Sequence, residues 1–190
     1  MLNEPMTRRD QMRRRRRTAK LMAQYEKFSP EHLDALQAGL KYVPHAMAIG
    51  LKVLDIKPSR CRMSIPYDRN FIGNVENGVI HGGVITTLLD TTCGLAVQLA
   101  MEETTAIATL DLRIDYMKPA TPGLGLIAHA TCFKATRNIA FVRGTAYHMD
   151  EADPIAASVG TFMIGSNRIP PDKITELVKD VPENIALLSG

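Results

Sequence analysis

Between Gly82 and Met101 the chain carries one charged side chain, Asp90, among apolar and weakly polar neighbours. The stretch opens His81-Gly82-Gly83 and reads as a helix. A helix N-terminus presents unpaired N–H groups and the positive end of the helix dipole. Glycines there let a ligand oxygen come close, which suits polarisation of a carbonyl and its developing oxyanion. The same glycines also suit a tight turn or close packing, so alone they fix no function. At helical spacing Asp90 is flanked by Thr86, Thr87, Cys93, Gly94 and Val97. The opposite face carries Ile85, Leu88, Leu89, Thr92, Leu95, Ala96 and Leu99. A carboxylate on a face of small groups loses hydration and gains few partners, a cost that functional sites tolerate.

Spacing adds a constraint. Gly82 and Asp90 are eight residues apart, which is about 12 Å along a helix. An attacking group and an oxyanion donor must both lie ~3 Å from the reacting atom. One helix cannot supply both. Two copies meeting antiparallel across a two-fold axis can, and they create two equivalent shared sites.

The elements that must hold this helix are legible on either side of it. Ser29-Pro30-Glu31 is a helix start, with Ser29 as N-cap and Pro30 in the first turn. Leu33, Leu36, Leu40 and Val43 form its apolar stripe, and Pro44 is expected to end it. "MAIGLKVLDI" and "SRCRMSIPY" read as two strands separated by Lys57-Pro58, and "DRNFIGNVENGVI" as a loop. After the long helix, Leu110, Leu112, Ile114 and Tyr116 alternate with charged residues, which marks a half-buried strand. Three more strands follow, joined through Arg137-Asn138 and "DEADP". The expectation is four final strands in an antiparallel meander. Strands and helices do not alternate, which excludes a doubly wound parallel sheet. The fold class is α+β: one long helix covered by one curved antiparallel sheet, after an N-terminal helical extension.

Three segments are expected: a basic arm over 1–28, one domain over 29–165, and a tail over 166–190 with a short helix. The arm holds nine Lys/Arg and three Asp/Glu, a net +6, while the remainder is net −3. Arg13 to Arg17 would cover every face of a helix. That fits a solvated or flexible arm, or contact with an anionic partner. No stable nucleic-acid or membrane partner is expected, though the arm keeps that question open. The early arginines precede no apolar run, so no secretory signal is expected. Cys61, Cys93 and Cys132 are odd in number and form no CxxC pair. Reduced thiols in a cytoplasmic protein fit this best. The histidines show no metal-ligand spacing, and neither a metal nor an organic cofactor is expected.

"NVENGVIHGGVITTLLDTTCG" followed by "TLDLRIDYMKPA" resembles the hot-dog-fold thioesterases. The resemblance is to the branch containing the phenylacetate-pathway and human mitochondrial-associated acyl-CoA thioesterases, and it spans roughly residues 43–165. It implies hydrolysis of an acyl-CoA by a homodimer or a dimer of dimers. Asp90 is then the general base or nucleophile, and the Gly82 N–H of the other subunit polarises the thioester carbonyl. Asn74 places the water or the leaving sulfur, and Thr109 assists the carboxylate. Two departures stand out: Asn74 lies seven residues before His81 rather than six, so Asn77 competes with it, and Thr109 replaces a usual serine. Strand parity groups Thr109 with Asp111 and Arg113, so a bulge or a polar dimer seam must bring it to the site. His81 and Gly83 border the substrate, with ordering of the loop as the stronger role for His81. Lys134, Arg137 and Asn138 are candidates for the coenzyme A phosphates. Two alternatives stay open: a non-catalytic acyl-CoA sensor whose arm contacts nucleic acid, and an acyl-thioester hydratase or dehydratase.

Overall fold

The computed structural model describes residues 12 and 29–168, with side-chain surroundings as far as 165. The rest of the basic arm, and the tail helix expected after Pro171, lie outside the described residues. Helix α1 spans Pro30–Gly39, and the Ser29 hydroxyl accepts from the His32 N–H at 3.3 Å. A 3-10 turn, Leu40–Tyr42, follows. Pro44 does stand at a helix boundary, but it also opens a second helix, α2, Pro44–Ala48. Proline at the first helical position has its φ already set and has no N–H to leave unpaired. The strand expected from Met47 therefore begins only at Lys52.

Strand β1 is Lys52–Lys57 and β2 is Arg60–Ile65. The Asn- and Gly-rich stretch, expected as a loop, is instead a 3-10 turn, Arg69–Phe71, and a small hairpin. Its strands are β3, Ile72–Asn74, and β4, Val79–Ile80. The Asn74 and Asn77 side chains accept from the N–H groups of Glu76 and Val79, which closes the turn between them. Helix α3, Gly82–Leu99, follows directly. The chain then forms β5, Thr105–Tyr116; β6, Leu126–Ala135; β7, Ile139–Tyr147; and β8, Ala156–Arg168.

The main sheet has the order β1-β2-β6-β7-β8-β5 and is antiparallel throughout. Only β6, β7 and β8 form the expected meander. β5 crosses to the far edge and pairs with β8, while β6 pairs with β2. The alternation in β5 identified a strand but could not name its partner, because pairing is set by where α3 leaves the chain.

α3 lies across the concave side of this sheet. The floor beneath it is built from small residues: Ala128 and Ala130 on β6, Ala140, Gly144 and Ala146 on β7. Small side chains let the helix approach closely, and Leu88, Leu89, Cys93, Ala96 and Val97 fill the gap with almost no exposure. The helix buries the expected stripe, Ile85, Leu88, Leu89, Thr92, Ala96 and Leu99, with Leu95 partly buried. The stripe is wider than expected, because Cys93 and Val97 are buried as well. Asp90 then sits on the flank of the buried stripe, between Thr86 and Gly94.

All three cysteines are free and buried. Burial pushes the Cys93 thiol up to about 12, and it raises Cys61 and Cys132 as well.

A Cβ on Gly144 would lie 3.0 Å from the Ser158 hydroxyl and 3.1 Å from the Cys93 sulfur. Both are buried, and neither has free space to retreat into. Gly144→Ala should therefore lower stability by about 1–3 kcal/mol. A fall in the urea midpoint without a change in slope checks this.

Candidate active site

Asp90 is half-buried on α3, and the Thr109 hydroxyl donates to its Oδ1 at 2.9 Å. Among the described residues its Oδ2 accepts no hydrogen bond. Thr109 reaches it because β5 carries a bulge. Thr109 pairs with Phe162 and Asp111 with Thr161, so Leu110 is an extra residue. A bulge reverses the parity of a strand beyond it. Ile107 and Thr109 before the bulge, and Ile114 and Tyr116 after it, therefore all turn toward the helix. Leu110 does not share the face of Leu112, Ile114 and Tyr116, as simple alternation would have it. It is 55% exposed.

The other end of β5 meets the start of α3. Tyr116 donates its hydroxyl to the Gly82 carbonyl at 2.9 Å, and Thr86 donates to the same oxygen at 3.2 Å. The two hydroxyls are 2.8 Å apart. A Cβ on Gly82 would come within 3.3 Å of the Tyr116 hydroxyl, so a side chain there would disturb this arrangement. Sequence reading missed both Thr86 and Tyr116. The signal was there for Tyr116, an inward residue on a strand that must pass a helix start lacking side chains.

His81 is the N-cap of α3. Its Nδ1 accepts from the Gly83 N–H at 2.9 Å, and its backbone N–H donates to the Phe71 carbonyl at 2.7 Å. The residue therefore ties the 3-10 turn before β3 to the helix start. It engages the Gly83 N–H, which leaves the Gly82 N–H without a hydrogen-bond partner among the described residues. An anionic or carbonyl oxygen is the natural complement to that donor.

The remaining expected residues are not gathered at this point. Asn74 is exposed on β3, with its side-chain oxygen engaged by Glu76. Lys134, Arg137 and Asn138 are exposed at the β6–β7 hairpin, and the Asn138 carbonyl accepts from the Ile164 N–H. Nearby, the Arg143 guanidinium lies 4.6 Å from the centre of the Phe133 ring. Among the described residues no group of three or more His, Cys, Asp or Glu side chains is placed to hold a metal ion. None of the described helices is long and apolar enough to cross a membrane.

A cavity of about 310 Å³ opens beside the start of α3. His81, Gly83, Val84 and Thr87 form one side of it. His45 and Ile49, from α2 and the residue that follows it, form another, with Phe71 close by. His45 Nε2 shares a hydrogen bond of 3.4 Å with the Thr87 hydroxyl across one end.

A carboxylate steadied by a hydroxyl, and an unpaired N–H at a glycine helix start, are the parts needed to attack and polarise a carbonyl. Similarity to known proteins agrees with that chemistry. A Pseudomonas aeruginosa protein of known crystal structure is 42% identical, with a TM-score of 0.62, covering 69% of this chain and 97% of that one. The medium/long-chain acyl-CoA thioesterase YigI of Escherichia coli is 26% identical over 137 residues, which is 65% of this chain and 87% of YigI. A mutant of the phenylacetic acid degradation protein PaaI from Thermus thermophilus is 25% identical, with a TM-score of 0.56, covering 63% of this chain and 97% of that one. The thioesterase superfamily model matches residues 77–155, the stretch that holds Gly82, Asp90 and Thr109. The chain belongs to the thioesterase superfamily and is a thioester hydrolase.

Proposed function

We propose that the protein hydrolyses acyl-CoA thioesters in a site shared by two subunits. The observation that carries this is the Thr109–Asp90 hydrogen bond, which steadies one carboxylate oxygen and leaves the other without a hydrogen bond among the described residues. The thioester carbonyl oxygen accepts from the Gly82 N–H of one subunit. Asp90 of the other subunit takes a proton from the attacking water, or attacks the carbonyl carbon itself. In either route the C–S bond breaks as the tetrahedral centre collapses. Coenzyme A leaves as a thiolate that recovers a proton, and the acyl group leaves as a free carboxylic acid.

Two features support the shared site. Gly82 and Asp90 lie about 12 Å apart on one helix, too far to serve one carbonyl. β5 is a 12-residue edge strand with Leu110 and Tyr116 more than half exposed. An open edge of that length calls for a cover, and a second copy placed antiparallel supplies one. Asn74, exposed at the β3–β4 hairpin, retains its amide N–H groups as donors to the attacking water or the sulfur. Lys134, Arg137 and Asn138 are exposed and suited to the coenzyme A phosphates. The engagement of the His81 Nδ1 at the N-cap supports a loop-ordering role over proton transfer, and so favours hydrolysis over the hydratase reading.

Asp90→Asn should lower kcat by about 10²–10⁴-fold with the circular dichroism spectrum unchanged. Near-normal thiol release would remove the assignment. Thr109→Val keeps the shape but loses a hydrogen bond to a charged group, so kcat should fall about 10–100-fold.

Mixing the two inactive variants Asp90→Ala and Gly82→Val tests the sharing of sites. Each hybrid dimer would hold one intact site, so a random equal mixture should recover about a quarter of wild-type activity. No recovery in verified hybrids would count against a site shared between subunits.

A further inference from the structure

We propose that the cavity between α2 and the start of α3 seats the acyl group, and that His45 sets the longest acyl chain the enzyme accepts. The inference rests on the Gly82 N–H as the donor to the thioester carbonyl. The two ends of the substrate diverge from that carbonyl. The sulfur must face the Asp90 side, where the proton needed by the leaving thiolate is held. The acyl carbon must point away from it, and this cavity borders the same helix start through His81 and Gly83.

The walls fit an acyl chain. Ile49 and Phe71 are core residues, 5% and 9% exposed, and Val84 packs against the core. The cavity borders α3 from the carbonyl site to Thr87, about one helical turn. At that point the His45 imidazole meets the Thr87 hydroxyl. Where it is reached, this polar pair opposes a longer alkyl chain, because a methyl group there would strip hydrogen-bonding groups of solvent and partner. Capacity sets the same limit. A cavity of about 150 Å³ accepts a benzene ring. At that density, a volume of about 310 Å³ holds roughly a dozen carbons.

The experiment is thiol release from straight-chain acyl-CoAs of 4 to 16 carbons by the full chain, with kcat/KM followed against length. In wild type each buried methylene should raise kcat/KM about four-fold until the cavity fills, and a decline should begin near a dozen carbons. His45→Ala should move the maximum at least two carbons longer. Val84→Phe, on the α3 side of the cavity, should move it at least two carbons shorter. His45 is exposed, so its replacement tests the wall without challenging the core. Active variants whose maximum stays where it is in wild type would overturn the proposal. So would a change in KM equal at every chain length, which would place the pantetheine arm in the cavity instead. Absence of turnover with every acyl-CoA in wild type would instead remove the acyl-CoA reading itself.

Discussion

Everything at the site depends on one extra residue in β5. A regular strand presents alternate residues to the helix, so Thr109 and Tyr116, seven positions apart, would face opposite sides. Leu110 is bulged out, and the parity change puts both on the helix side. One hydroxyl then meets Asp90 and the other meets Gly82. The strand thus holds Asp90 and the Gly82 carbonyl of the same helix at once. Deleting the bulge would turn either Thr109 or Tyr116 away from α3, whichever side of it kept its register.

The start of α3 is organised to keep one N–H available. Of the first N–H groups of a helix, several normally wait for a capping side chain or for water. His81 takes the Gly83 N–H. Tyr116 and Thr86 bind the Gly82 carbonyl and orient the peptide that follows it. Tyr116 also occupies the space a Gly82 side chain would need. The glycine is therefore required by packing and by ligand approach together, two readings that looked like alternatives when only the residue types were known.

What the sequence made legible was chemistry held on a single element. The lone acid, the glycines at the helix start and the 12 Å between them all lie on α3 and need no tertiary information. The N-cap at Ser29 was local too. Sheet order was not. β5 reads as the first strand of a meander, yet it pairs with β8, because the helix carries the chain to the far edge before it returns. The width of the buried stripe on α3 was hidden for a related reason. Cys93 and Val97 are as apolar as their neighbours, and the small-residue floor of β6 and β7 lets the helix settle deeply enough to bury both. The need for a bulge at Thr109 was legible as a conflict between strand parity and proximity to Asp90.

The division of labour along the chain follows from the same geometry. The residues proposed for chemistry, Gly82, Asp90 and Thr109, fall inside the stretch matched by the superfamily model, 77–155. The cavity walls supplied by His45, Ile49 and Phe71 fall outside it. α2 is a helix of five residues standing on the protein surface, with Ala46 as its buried contact. A helix that short draws its position from packing rather than from its own hydrogen bonds. It can therefore be reshaped at small cost to the core, while the bulge, the acid and the oxyanion donor stay where they are. On the proposed reading, selectivity for the acyl group and the power to cleave the thioester are carried by separate lengths of chain that meet at the start of α3.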